Sequence, residues 1–146
     1  MSDTQALLDS IAYVAWHRQV LRVKEPGRAV VAQPDRVDLR NYFGTVHAGA
    51  IYTLAETAAG VVADGVARPL EGFILLGAAE LRYTRRAAGT LEAEARLDPG
   101  TDSEALVRDF TAAGRGALAV AVVIRDPGGE TVFEGTFHYA MRRRRQ

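Results

Sequence analysis

The first part of the chain combines one helical pattern with two extended ones. Between residues 3 and 18, apolar side chains recur at spacings of three and four, which predicts an amphipathic helix capped by Ser2 or Asp3. Two runs typical of strands follow at residues 20–24 and 28–33, with the turn-forming pair Pro26–Gly27 between them. We therefore expect a helix and then a β-hairpin that Pro34 ends.

A polar connection over residues 35–45 leads to a second helical segment, residues 46–66, in which apolar and small residues occur on every side. A helix with that pattern is buried. Many of its residues are small enough to let neighbouring backbone approach closely, namely Ala48, Gly49, Ala50, Ala55, Ala58, Ala59, Gly60 and Ala63. We expect other elements to wrap around this helix.

The remainder of the chain is mainly extended. Strand patterns cover residues 73–84, 90–97, 117–125 and 131–141, with a turn at residues 126–129 and a short helix at residues 102–113 that Asp102 or Ser103 would cap. This order predicts an α+β fold in which one antiparallel sheet curls around the central helix. We expect residues 1–146 to form one domain, with a basic C-terminal tail over residues 141–146.

Composition narrows the possible functions. Lysine plus arginine and aspartate plus glutamate each number 18, so no overall field favours nucleic acid or an anionic membrane. The absence of cysteine excludes disulfides, thiolate metal sites and cysteine nucleophiles. Asp3 and Asp9 interrupt any signal-peptide pattern, and no apolar run is long enough to span a membrane, so we expect a cytoplasmic protein. The arginine run at residues 142–145 fits a solvated tail, or else a contact with phosphate or an acidic partner.

Glu56 is the main candidate for chemistry. It lies among Leu54, Ala55, Ala58 and Ala59 on the helix predicted to be buried, where an unpaired carboxylate costs several kcal/mol or keeps its proton to unusually high pH. Carboxylates in such surroundings cluster at functional sites. The alternatives are an ion pair with an arginine such as Arg82, or a side chain that faces solvent.

The start of the same helix is a candidate anion site. His47 follows Gly44 and Thr45 at a point where free backbone N–H groups and the helix dipole favour negative charge. The amides around Ala48 and Gly49 suit the oxyanion that develops on a thioester carbonyl. The alternative is that Thr45 caps the helix and His47 makes only a local hydrogen bond.

The spacing of these groups has a consequence for assembly. His47 and Glu56 are nine positions apart, so Glu56 lies about 13 Å further along the helix and on its opposite side. One helix cannot direct both groups at one carbonyl. Two antiparallel copies across a twofold axis can, and we therefore expect a homodimer or homotetramer.

The segment Asn41-Tyr42-Phe43-Gly44-Thr45-Val46-His47-Ala48-Gly49-Ala50, followed by Leu54-Ala55-Glu56, resembles the core motif of PaaI-type hotdog thioesterases, most closely the YiiD C-terminal-like (DUF4442-like) group. The resemblance implies a hotdog fold over nearly the whole chain and hydrolysis of acyl-CoA at a dimer interface. It also implies that Asn41 positions substrate or water, that the amide near Ala48 forms the oxyanion site, and that Glu56 of the partner subunit is general base or nucleophile.

The chain departs from that group at three points. Ala48 stands where relatives commonly have a second glycine, Glu56 where many have aspartate, and residues 75–79 lack the serine or threonine that many relatives direct at the site. A backbone amide and a carboxylate both survive the first two changes. The third keeps open a non-catalytic acyl-CoA-binding or sensing module. A dehydratase or hydratase acting on acyl thioesters is a further alternative, since one fold hosts several functions.

Other expectations concern the substrate. Gly44 and Gly49 border the amide site, and Arg82, Arg85 and Arg86 suit the phosphates of CoA, although a solvated strand end explains these arginines equally well. The aromatic side chains of Tyr13, Trp16, Tyr42, Phe43 and Tyr52 would line an acyl tunnel or belong to the core.

His17 and His138 have no second ligand at metal-binding spacing, and we expect no metal and no cofactor. Acyl-CoA is thus the expected partner, without nucleic acid or membrane.

Overall fold

A computed structural model describes residues 2–145. It contains four α-helices, α1 (Ser2–Ser10), α2 (Ala12–His17), α3 (Ala48–Ala67) and α4 (Ser103–Ala113). The six strands are β1 (Val20–Glu25), β2 (Arg28–Gln33), β3 (Gly72–Tyr83), β4 (Leu91–Leu97), β5 (Arg115–Arg125) and β6 (Thr131–Arg143). Short 3-10 helices occur at Val37–Leu39 and Arg68–Leu70. No helix within residues 2–145 is long and apolar enough to cross a membrane.

The six strands form one antiparallel sheet in the order β1-β2-β4-β5-β6-β3. Inward-facing buried residues alternate along β4 and β5, and on β5 Val120, Val122 and Ile124 are fully buried. They cover α3, whose own apolar residues are buried on several sides. The predicted sheet curled around a central helix is confirmed, and so are both predicted tight connections, at Pro26–Gly27 and at residues 126–129.

The N-terminal helix differs from the prediction, because two helices replace the single helix expected over residues 3–18. Ile11 adopts an extended backbone between them, with φ −88° and ψ 106°. The Ser10 hydroxyl donates to the Leu7 carbonyl at 2.6 Å and so competes with continued helical bonding. Leu8 and His17 are both buried. Nine positions apart, they would face opposite sides of one straight helix, so the break lets both face the body of the protein.

The starts of α3 and α4 can be compared with the predicted ones. The central helix begins at Ala48, two residues later than expected, because His47 and not Thr45 is its cap. Asp102 caps α4 as predicted, since its carboxylate accepts the Ala105 N–H at 3.0 Å.

The expectation of a free basic tail from residue 141 is wrong for its first part. Strand β6 continues to Arg143, and Phe73 pairs with Arg142 across the sheet. The Arg143 guanidinium donates to the last carbonyls of α4, at Phe110 (3.2 Å) and Thr111 (2.6 Å), where the helix dipole favours a cation. The tail prediction also covers Gln146, which lies outside the described residues.

The end of α3 is closed by a tight contact. Phe110 of α4 is fully buried there, and an added Cβ at Gly72 would lie 2.9 Å from the Phe110 ring and 3.2 Å from two backbone oxygens. Glycine at this position lets β3 start directly against the end of the central helix.

Candidate active site

The loop before α3 is built by Asn41. Its side-chain oxygen accepts the N–H groups of Phe43 (3.0 Å) and Thr45 (3.1 Å) and the Thr45 hydroxyl (3.2 Å). Gly44 adopts φ +81° and donates its N–H to the Asn41 carbonyl at 3.0 Å, a left-handed conformation that favours glycine. Within this structure the Asn41 oxygen is therefore fully used in shaping the loop.

Hydrogen bonds to other parts of the chain hold the start of α3 in place. Val46 donates its N–H to the Ala87 carbonyl and His47 donates to the Leu39 carbonyl, each at 2.8 Å. Tyr83 donates its hydroxyl to the Ala48 carbonyl at 3.0 Å. The first turn of α3 is thus held by residues from three other parts of the chain.

His47 decides which amide is available at this helix start. Its Nδ1 accepts the Gly49 N–H at 2.8 Å, so one of the two amides expected to face a substrate already has a partner. The Ala48 N–H has no acceptor within residues 2–145, and Ala48 is exposed. The amide of Ala48 is therefore the free donor at the start of α3.

Glu56 is half-buried and makes one specific contact. Its carboxylate accepts the hydroxyl of Tyr139, which is 3% exposed on β6, at 3.0 Å. Burial, and then the neighbouring Glu56 charge, raise the pKa of Tyr139 well above its ordinary value of 10.0. The phenol therefore remains a donor throughout the physiological range. The suggested ion pair between Glu56 and Arg82 does not form, because Arg82 lies 3.4 Å from Glu134 instead.

Two residues near Glu56 were not among the predicted site residues. The first is Tyr139, which the sequence does signal: it is the only hydroxyl-bearing residue among the buried residues of β6, the others being Val132, Phe133, Phe137 and Met141. The second is Thr57, whose buried hydroxyl makes no hydrogen bond within residues 2–145.

Glu56 opens into a cavity of about 310 Å³ between α1, α2, α3 and the start of β3. Its walls are mainly aliphatic. The residues that line it are Thr4, Leu7, Leu8, Ile11, Val14, Glu56, Thr57, Gly60, Val61, Asp64, Arg68, Phe73, Ile74 and Arg144.

His47 faces a different cavity, of about 330 Å³. Its lining consists of Tyr13, Trp16, His17, Asp38, Leu39, Arg40, His47, Gly49 and Ala50. The two cavities have no residue in common, so one protomer does not bring Glu56 and the start of α3 together. This separation agrees with the spacing of nine residues between His47 and Glu56 on the helix.

Most of the aromatic candidates belong neither to the core nor to the Glu56 cavity. Tyr13, Trp16, Tyr42 and Phe43 are all exposed, Tyr42 to 91%. Tyr52 is half-buried and packs against Phe137, with ring centres 5.7 Å apart. The prediction that these side chains form core is correct only for Tyr52, and none of the five lines the cavity beside Glu56.

Of the three candidate phosphate-binding arginines, Arg82 lies near the end of β3, and Arg85 and Arg86 follow that strand. Arg82 and Arg85 are exposed and pair with Glu134 (3.4 Å) and Glu130 (3.0 Å), whereas Arg86 lies over the Phe43 ring at 4.4 Å. Among residues 2–145 there is no group of three or more histidine, aspartate or glutamate side chains able to bind a metal. His17 bonds to the Tyr13 carbonyl, and His138 lies 2.7 Å from Glu80.

Comparison with known proteins identifies the family to which the chain belongs. Residues 5–141 match the family described as Domain of unknown function (DUF4442). No curated protein matches the chain. A Pseudomonas aeruginosa structure described as a protein of unknown function and probable thioesterase is 27% identical, with TM-score 0.84 over 97% of this chain and 94% of that one.

Two further solved structures share the fold at lower identity. The E. coli PaaI protein from the phenylacetic acid degradation operon is 18% identical, with TM-score 0.73 over 99% of this chain and 92% of that one. A thioesterase family protein from Silicibacter pomeroyi is 16% identical, with TM-score 0.73 over 95% and 93%. Since the family match spans nearly the whole sequence, the chain belongs to the DUF4442 family and has the hotdog fold.

Proposed function

We propose that the protein is an acyl-CoA thioesterase whose active site forms between two protomers. The observation that carries the proposal is the half-buried Glu56 carboxylate, which has a single tyrosine donor and opens into a mainly apolar cavity. A carboxylate in that setting is suited to act as a base or a nucleophile at a bound carbonyl. The Pseudomonas aeruginosa protein is described as a probable thioesterase and the Silicibacter pomeroyi protein as a thioesterase family protein, which supports the same reaction class.

The second half of the proposed site is the free amide of Ala48. The N-terminus of a helix stabilises negative charge, and an unpaired N–H there can donate to the oxygen of a tetrahedral intermediate. Because the Gly49 amide is already bound by His47, we assign the oxyanion contact to Ala48 alone and give His47 the role of shaping the helix start. Asn41 acts in the same way on the preceding loop.

A dimer is needed because Ala48 and Glu56 lie about 12 Å apart along α3, and the cavities at the start of the helix and beside Glu56 have no residue in common. Strand β3 supports its formation, since it is an edge strand of twelve residues whose Leu75 and Leu76 are 55% and 37% exposed. Long, apolar edge strands tend to be covered by another chain. We expect two copies to pair antiparallel through β3, with Ala48 of one protomer serving the same carbonyl as Glu56 of its partner.

The proposed reaction starts with the thioester oxygen accepting the Ala48 N–H. Glu56 takes a proton from a water molecule as the water oxygen attacks the carbonyl carbon. The tetrahedral intermediate then collapses, the carbon–sulfur bond breaks, and Glu56 returns the proton to the leaving thiolate. Direct attack by Glu56, with an acyl-enzyme anhydride that water then hydrolyses, uses the same residues. Tyr139 keeps the carboxylate oriented in either route.

Thiol release from a panel of acyl-CoAs tests the proposal. We expect turnover by the wild type and at least a hundredfold loss in Glu56→Gln, which keeps the size of the side chain but removes its basicity. Glu104→Gln is the matched control, because Glu104 is an exposed residue of α4 that does not line the cavity. Light scattering checks that each variant keeps its oligomeric state.

Other results would point elsewhere. Saturable binding of acyl-CoA without turnover of any substrate would favour the non-catalytic binding module. Equal rates for wild type and Glu56→Gln would show that Glu56 is not the reacting carboxylate.

A further inference from the structure

We propose that the cavity beside Glu56 binds a straight aliphatic acyl chain of about eight to twelve carbons, which makes medium-chain acyl-CoA the preferred substrate class. This inference rests on the proposed function, because it takes Glu56 as the place of the thioester. It concerns the acyl group, which neither the family nor the similar structures assign for this chain.

The cavity follows one stripe of the central helix. Glu56, Gly60, Asp64 and Arg68 all line it, and they recur every four residues. Residues at that spacing lie above one another on a helix. The cavity therefore extends as a channel along α3 from the Glu56 carboxylate towards the end of the helix.

Helices α1 and α2 cover this channel and run antiparallel to α3. At one end, Tyr13 of α2 bonds to Thr53, near the start of α3, at 3.0 Å. At the other end, Thr4 of α1 accepts a hydrogen bond from Lys24 at 2.8 Å, and Lys24 faces Asp64 and Arg68 across a neighbouring groove. Successive residues of the N-terminal helices thus follow the channel along its length.

The lining of the channel is mainly apolar and mostly aliphatic, and its polar residues on α3 fall at two separate places. The apolar lining residues are Leu7, Leu8, Ile11, Val14, Val61, Phe73 and Ile74, and Thr4 and Arg144 also line the channel. Glu56 and Thr57 stand at the near end, and Asp64 and Arg68 form an ion pair at the far end, with an N–O distance of 2.9 Å. An extended alkyl chain matches this distribution, because every methylene in the middle leaves water for apolar surface.

The length of the channel sets the chain length. Eight residues separate Glu56 from Asp64, which corresponds to about 12 Å along the helix. An extended chain advances by about 1.2 Å per bond, since three backbone bonds span about 3.6 Å. About ten bonds therefore fit before the chain end meets the Asp64–Arg68 pair, and longer chains would have to displace a charged pair.

Gly60 keeps the channel open at its centre. A Cβ at this position would lie 3.4 Å from the Glu56 carboxylate and 3.8 Å from the Tyr139 hydroxyl. A glycine in the middle of a helix is unfavourable on its own account, and the space it leaves here gives it a role. A larger side chain would fill the path between the thioester and the far end.

The experiment compares kcat/KM for acyl-CoAs from four to eighteen carbons. We expect an optimum between eight and twelve carbons in the wild type. Gly60→Val should lower the ratio of decanoyl-CoA to butyryl-CoA turnover at least tenfold, and the ratio cancels any effect on Glu56 itself. Gly65→Val is the matched control on the same helix, because a Cβ there meets nothing within 4 Å. Arg68→Ala, which removes the far-end pair, should shift the optimum to longer chains.

Binding provides a readout that does not need turnover. The non-hydrolysable thioether S-decyl-CoA should bind at least a hundredfold more tightly than S-butyl-CoA in calorimetry, since each buried methylene contributes about fourfold. Gly60→Val should remove most of that difference and Gly65→Val should not.

The outcomes separate the two proposals. A preference for acetyl or aromatic acyl groups, a flat chain-length profile, or an unchanged decanoyl ratio in Gly60→Val would overturn the medium-chain channel and leave thioesterase activity standing. Chain-dependent binding without any turnover would support the channel and overturn the proposed hydrolysis.

Discussion

Replacing Ala48 by proline would remove the backbone N–H donor at the start of α3 and disturb the fold little. Ala48 is the first residue of α3, a position where proline is well tolerated because that N–H has no partner within the helix. His47, the preceding residue, has φ −62° and ψ 138°, which is the extended conformation that a following proline requires. The wild-type Ala48 N–H also has no acceptor within residues 2–145, so the folded protomer loses no hydrogen bond.

The expected effects on stability and on catalysis therefore differ widely. The free energy of unfolding should change by less than about 0.5 kcal/mol, because the substitution is compatible with the backbone and fixes the unfolded chain slightly. If the amide stabilises the oxyanion, its removal should raise the activation barrier by about 2.7–4 kcal/mol, which lowers kcat by about a hundredfold to a thousandfold. KM should change little, since the contact strengthens mainly in the transition state.

Thiol-release kinetics and thermal denaturation at one protein concentration measure both effects. Ala48→Gly is the control, because it retains the N–H and should keep activity within about threefold of the wild type, within the range of a small change in the first turn of the helix. A folded, oligomeric Ala48→Pro protein with wild-type kcat would refute the role of this amide.

Three further substitutions test individual contacts. Tyr139→Phe should reduce kcat/KM about tenfold and the free energy of unfolding by about 1.5 kcal/mol, because a hydrogen bond to a carboxylate is lost; Tyr52→Phe is its control, and equal activity of both variants would contradict a positioning role for Tyr139. Glu94→Gln should change the pH dependence of the free energy of unfolding, because the hydrogen bond from Arg28 lowers the pKa of Glu94 below 4.5. The Glu94 carboxylate therefore stabilises the protein above pH 4.5, and this stabilisation is lost as the pH falls through the pKa of Glu94 in the folded protein. Urea denaturation should show a deficit of about 1 kcal/mol at pH 7 that shrinks as the pH falls below 4.5, and a deficit constant with pH would contradict this origin. Gly72→Ala should destabilise by about 1–3 kcal/mol, because the added methyl meets Phe110 and two backbone oxygens; an unchanged melting temperature would mean that the end of α3 can shift.

The sequence predicted the elements whose patterns are local. The all-round burial of α3, the alternation of the strands and the Asp102 cap all depend on residues within a few positions of one another, and each is present in the structure. Glu56 and the start of α3 were likewise identified from neighbouring residues. The arrangement of one antiparallel sheet around a central helix then followed from the order of these elements, and the hotdog fold from the resemblance to PaaI-type thioesterases.

The contacts that define the site are not local, and this is why they escaped prediction. Tyr139 lies 83 positions from Glu56, and only the register of β6 against the rest of the sheet brings its hydroxyl to the carboxylate. Arg143 looked like part of a free tail because its partners, the carbonyls of Phe110 and Thr111, become available only when α4 packs beside β6. His47 replaced Thr45 as the cap because Val46 forms a β-bridge with Arg40, which keeps the chain extended up to His47.

The separation of Ala48 and Glu56 by about 12 Å along one helix has a consequence for dimers that combine two different variants. In the proposed dimer each α3 gives its start to one active site and its middle to the other, so two inactive proteins can complement each other. When Ala48→Pro and Glu56→Gln protomers exchange freely, half of the dimers should be mixed, and each mixed dimer contains one site with both groups intact and one with neither. About a quarter of the wild-type sites would then be restored from two parents that have almost none.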